Sequence, residues 1–215
     1  MPKENKHCIH RHTIEDHPNC FSRFWYDKPG ERLGYLDIES SGLDADNDWM
    51  LSWCIKPADS SKIAYGNVTY DDIFDGPGKV NRQFDKLMIF ELLLEMQNYT
   101  GLVTYYGTGF DIPFIRSKAM KYNLVFPEYK KIAHIDLYYQ VRSKMKLSHS
   151  SLSAATKHLD IAGKTHLDFK YWKLACLGDK KAMEELLHHN KQDVVILQKL
   201  HKELEPFGKF DKKSL

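Results

Sequence analysis

The chain has 215 residues, 42% of them hydrophobic and 28% charged, which excludes a disordered, collagen-like or disulfide-scaffold protein and suits one large domain with room for a small appendage. Thirty-one Lys and Arg against 29 Asp and Glu leave +2, so any argument from charge must be local. No apolar run approaches the ~20 residues of a membrane span, the polar start MPKENKHCIHRH reads as no secretory signal, and four cysteines make no disulfide framework. The expectation is a reducing, cytoplasmic setting without a membrane partner.

Residues 1–30 lack apolar periodicity but hold Cys8, His10, His12, His17 and Cys20. Zinc takes four such nitrogen and sulfur ligands tetrahedrally, so Cys8, His17 and Cys20 with His10 or His12 would close a knuckle around a structural Zn²⁺. The alternative is a His-rich tail. A globular domain is expected over 31–207, followed by a basic tail over 208–215.

That domain opens on LGYLDIE (33–39), an apolar run typical of a buried strand. MLSWCIK (50–56) and KIAYGNVTY (62–70) are two more strands, and Asp59, Ser60 and Ser61 between them mark a hairpin. After the breaker Asp75-Gly76-Pro77-Gly78, the spacing of Phe84, Leu87, Met88, Leu92 and Met96 predicts a helix over 81–98. GLVTYYG (101–107) reads as a strand, 111–122 as a helix with Pro113 in its first turn, and KIAHIDL (131–137) as a strand. Helices are expected over 151–159, 167–176 and 180–204. Hairpins give an antiparallel part and strand–helix–strand crossovers a parallel part, so the fold class is α/β: a mixed five-stranded sheet flanked by helices.

Four acids stand out against this frame. Asp37 and Glu39 are two apart in one strand and share a face. Acids there are costly unless neutralised, as a divalent cation would do, or unless the strand end emerges into solvent. Asp111 starts a helix after a strand and a Gly-Thr-Gly turn, where it is either a helix cap or a site residue at the C-terminal sheet edge. Asp193 shares the apolar stripe of Leu186, Leu197 and Leu200, and so needs a partner that Lys191 and Lys199 do not supply from their faces. His189, four residues earlier, faces the same way and could activate water, whereas His188 points about 140° away in an unbroken helix. Four carboxylates of this kind can hold two Mg²⁺ or Mn²⁺ ions.

LDIES, YYGTGFD and HNKQDV, 74 and 82 residues apart at their aspartates, resemble the three exonuclease motifs of the DEDD superfamily, the ribonuclease-H-like 3′→5′ exonucleases. The resemblance covers about residues 32–205, and HIDLYYQVR and SLSAATKHL resemble linking segments of phage and microbial members. It implies a ribonuclease-H-like fold, metal ligation by Asp37, Glu39, Asp111 and Asp193, and a Tyr or His just before Asp193 that orients water. In the Tyr subtype that residue stands four before the aspartate, the place of His189; in the His subtype it stands five before, the place of His188. The implied activity is two-metal 3′→5′ exonuclease hydrolysis of single-stranded nucleic acid, with DNA preferred and replication or repair proteins as partners. The alternatives are an exoribonuclease and an inactive nucleic-acid-binding module.

Residues 112–147 carry eight bases against two acids, whereas 37–48 carry five acids and no base. That polarity suits a metal site beside a phosphate track, or a solvated basic face. Tyr106, Phe110, Phe114, Arg116 and Arg142 are the expected nucleic-acid contacts, through stacking and phosphate pairing.

Overall fold

The computed structural model describes residues 32–76 and 83–207, and the backbone of 213–214. The Cys8/His10/His12/His17/Cys20 set, and with it the expected zinc knuckle, lies outside the described residues. The elements are β1 (Leu33–Ser40), β2 (Met50–Pro57), β3 (Ala64–Asn67), α1 (Tyr70–Phe74), α2 (Lys86–Met96), β4 (Gly101–Thr104), α3 (Asp111–Tyr122), β5 (Ala133–Asp136), α4 (Leu137–Lys144), α5 (Leu152–His158), α6 (Phe169–Cys176), α7 (Lys180–Leu204), a 3₁₀ turn (Glu205–Phe207) and β6 (Lys213–Ser214).

The strands lie in the order β3-β2-β1-β4-β5, with the two-residue β6 added at the β5 edge. β1, β2 and β3 form an antiparallel meander, β4 and β5 run parallel to β1, and β6 returns antiparallel. The mixed sheet expected from the order of elements is the one observed.

Two apolar clusters hold it. Leu36 and Ile38 of β1 pack with Ile89 and Leu92 of α2 and with Ile112 and Ile115 of α3. Tyr35 of β1 packs with Val103, Ile135 and the α7 residues Val194, Leu197 and Leu200. The pleat sends successive side chains to opposite faces, so the odd-numbered residues of β1 meet α7.

Three elements differ from the sequence reading. The third strand is only four residues long, because Thr69 and Asp72 form a capping box that starts α1. The fourth ends at Thr104, and Tyr106 is left-handed with φ +65°. β5 runs straight into α4, with Asp136 as N-cap accepting from the Tyr138 amide; only Leu137 and Val141 of α4 are buried, too few to show a period.

Candidate active site

β1 carries Asp37 and Glu39 on the face that α7 covers, one and two steps along from buried Tyr35. α7 runs unbroken over 25 residues and buries Leu186, Asp193, Leu197 and Leu200 along one stripe. Asp111 is the first residue of α3 and makes no capping bond. Its Oδ1 instead accepts from the Ile38 amide at 3.2 Å, between Asp37 and Glu39. One strand and two helices thus bring the four acids together near the C-terminal ends of the parallel strands β1 and β4, where open α/β sheets place their sites.

Other side chains complete the cluster. The Lys164 ammonium pairs with Asp193 Oδ2. Asn190 Nδ2 donates to Asp37 Oδ2 at 2.6 Å, while its Oδ1 accepts from Ser52 Oγ at 3.1 Å. His189 Nε2 lies 4.0 Å from Glu39 and 3.7 Å from Asp193, and its Nδ1 shares a 2.6 Å hydrogen bond with Thr165 Oγ1. A cavity of about 490 Å³ opens beside His189, lined by Lys157, Lys164, Thr165 and His166 among others.

Burial and mutual repulsion set the charges here. Burial first, then Asp193, Asp111 and Glu39, push Asp37 well above the carboxylate range, and Lys164 pulls it back. Burial, with Asp193 and Asp111, takes Glu39 up to about 8, against the pull of Lys164. Burial takes Asp111 up to about 7, opposed by hydrogen bonds from backbone amides, with Asp136 adding to the rise. Burial lowers His189 despite the opposing charge of Asp193, so the ring is neutral near pH 7.

Among the described residues no group of three or more His, Cys, Asp or Glu is disposed to hold a metal ion, and Lys164 occupies one oxygen of Asp193. The donor chemistry nevertheless fits a hard divalent cation: the four acids offer only oxygen, and Asp193 Oδ1 is buried with no hydrogen-bond partner among the described residues. Asp37, Glu39, Asp111 and Asp193 are the residues that would hold Mg²⁺ or Mn²⁺.

The remaining expected residues scatter. His188 is exposed on α7, away from the stripe of Asp193. Tyr106 is 47% exposed, and Phe110 is half-buried against the core. Phe114 is a correction: only 3% exposed, it belongs to the core and offers no stacking face. Arg116 lies over the Phe126 ring at 5.1 Å, and Arg142 lies exposed on α4. The basic stretch is not one face either, since Lys118 is 1% exposed and paired with Asp85.

Lys164, Thr165 and Asn190 were not anticipated. Asn190 stands three residues before Asp193, about 60° around the helix, so its place on the buried face was readable. Lys164 and Thr165 lie in a loop without periodicity. The buried acid demanded a cation, but nothing local said which one.

Residues 34–205 match the RNase_H_2 family of the RNase_H superfamily, and the chain belongs to that family. No curated protein matches the chain. Its fold is similar to part of the family B DNA polymerase from the hyperthermophilic archaeon Pyrobaculum calidifontis, with a TM-score of 0.60 at 17% identity. The match covers 83% of this chain and 25% of the polymerase, so this chain spans about a quarter of that protein. The fold is therefore that of the RNase_H superfamily. No helix among the described residues is long and apolar enough to cross a membrane.

Proposed function

We propose that the protein is a metal-dependent 3′→5′ exonuclease that removes nucleotides from single-stranded nucleic acid, DNA in preference to RNA. One observation carries the reading: four acids converge on one buried cluster with, among the described residues, a single lysine as counter-charge. A fold gains nothing from that repulsion, and a pair of divalent cations relieves it. When bound, Mg²⁺ or Mn²⁺ supplies electrostatic stabilisation of the attacking and leaving oxygens of the phosphodiester.

The chain's own groups do the rest. His189, neutral and facing Glu39 and Asp193 through Nε2, accepts the proton of the attacking water. For that its Nδ1 carries the hydrogen and donates to Thr165, which fixes the ring. Asn190 holds Asp37 by one oxygen and leaves the other for the cation. The Lys164 ammonium offers positive charge where phosphate charge develops. Water adds to phosphorus as the bond to the 3′ oxygen breaks, the freed 3′ oxygen takes a proton from solvent, and the terminal nucleotide departs as a 5′-monophosphate. Cys54 and Cys176 are unpaired thiols, in keeping with a cytoplasmic setting.

Digestion of 5′-labelled DNA and RNA oligomers, single- and double-stranded, tests the reading. A ladder descending from the 3′ end with Mg²⁺ or Mn²⁺, abolished by EDTA and fastest on single-stranded DNA, is expected. Tight binding without cleavage under any divalent metal would establish the inactive binding module instead.

A further inference from the structure

The corner between β4 and β5 carries a second concavity that the acid cluster does not use. It encloses about 480 Å³ and is lined by Thr108, Asp136, Tyr139, Gln140, Arg142 and Ser143 among others. Its one carboxylate is committed: Asp136 accepts from the amides of Tyr106 at 2.8 Å, Thr108 at 2.9 Å and Tyr138 at 3.1 Å. Those bonds clamp the loop that precedes Asp111, and the Asp136 charge reaches the Asp111 carboxyl. Arg142, by contrast, has no ion pair or hydrogen bond among the described residues. The pocket therefore sets a guanidinium without a bonded partner among the described residues beside hydroxyl, amide and imidazole groups and one carboxylate already held by three backbone amides, which is a site for an anion.

Aromatic rings line the approach. Tyr106 is held in the left-handed region, its ring edge-on to Tyr138 at 4.8 Å. Gly109 makes room for it, since a Cβ there would meet that ring at 2.5 Å. Tyr138 in turn meets Tyr139 at 5.2 Å, and Tyr139 is 40% exposed at the pocket. Strained backbone that displays an aromatic side chain persists where the surroundings enforce it, and such places cluster at ligand sites. Stacking surfaces beside a guanidinium are what a single strand uses.

We infer that this pocket is an upstream subsite of the proposed nuclease: Arg142 binds the phosphate one nucleotide 5′ of the cleaved bond, and Tyr139 carries the adjoining base. The inference rests on the nuclease reading, and two substrates separate them. The p-nitrophenyl ester of thymidine 5′-monophosphate offers only the terminal nucleotide and a leaving group. The trinucleotide pTpTpT adds the upstream phosphates. The ratio of kcat/KM on the trinucleotide to that on the ester should fall about ten- to hundredfold in Arg142→Gln, the worth of a charge-assisted bond, and partly recover in Arg142→Lys. A wild-type ratio in Arg142→Gln would overturn the subsite while leaving the nuclease reading in place. A wild-type protein that hydrolyses neither substrate with Mg²⁺ or Mn²⁺ would overturn both.

Discussion

Two clusters of buried charge lie on opposite faces of the same sheet, and they are built on opposite principles. In the first, Asp85 accepts from the Met50 amide at 2.8 Å and from the Tyr122 hydroxyl, and pairs with Lys118 at 3.4 Å. Lys118 also donates to the Asp48 carbonyl. Each charge there has its complement, and the network ties β2 to α3. In the second, Asp37, Glu39, Asp111 and Asp193 have, among the described residues, one lysine, one amide and a few backbone donors, and Asp193 Oδ1 has no partner there. Buried charge that serves the fold is satisfied within the fold. The uncompensated cluster leaves its complement to be supplied by a ligand.

Mutation should separate the two by different readouts. The largest effect expected is in the acid cluster: Asp37→Ala or Asp193→Ala should reduce turnover by about 10³-fold or more, since several kcal/mol of charge stabilisation is lost. The metal-free melting temperature should hold or rise, because repulsion is relieved. Steady-state cleavage and calorimetry of the same samples check this; near-wild-type turnover would remove these residues from the site.

His189→Ala should lower kcat about 10²–10⁴-fold with little change in KM, and His188→Ala less than about tenfold. A large loss confined to His188→Ala would contradict the helix geometry. In the satisfied cluster, Asp85→Ala should strand buried Lys118 and cost about 3–5 kcal/mol, roughly 10 °C of Tm in a domain this size, with turnover at low temperature retained. If Tm stayed level, the contrast between the clusters would fail.

The smallest effect is on pH. Glu39 and Asp111 titrate near 8 and 7 in the fold, from ordinary values of 4.5 and 3.8. Between those limits the folded protein keeps protons that the unfolded chain has released, so stability is present at the acid end and is lost as pH rises through the folded values. His189, whose value is lowered from 6.5, works the other way below that pH. The clean window is thus about pH 6.5–8, where Tm in EDTA should fall and saturating Mg²⁺ should remove the fall. A level or rising Tm in EDTA would refute the proton count.

Much of this was legible in the sequence, and the reasons differ by residue. Strand period 2 put Asp37 and Glu39 on one face, and helix period 3.6 put Asp193 on the buried stripe, because both follow from local geometry. The order of elements gave the sheet. Asp111 was open between cap and site residue, since only tertiary contact shows its oxygen reaching the Ile38 amide. Lys164 and Thr165 stayed hidden because a loop has no period. Phe114 misled because an aromatic beside a motif looks the same whether it faces solvent or the core, and here the Ile115 face of α3 takes it inward.

Calorimetric titration of Mn²⁺ into the metal-free protein at pH 8, beside Asp193→Asn, tests the central claim most directly. The wild type should bind the ion with release of protons from the acid cluster, and the variant should bind it at least tenfold more weakly. Equal binding by the two proteins, or none by the wild type, would contradict the account.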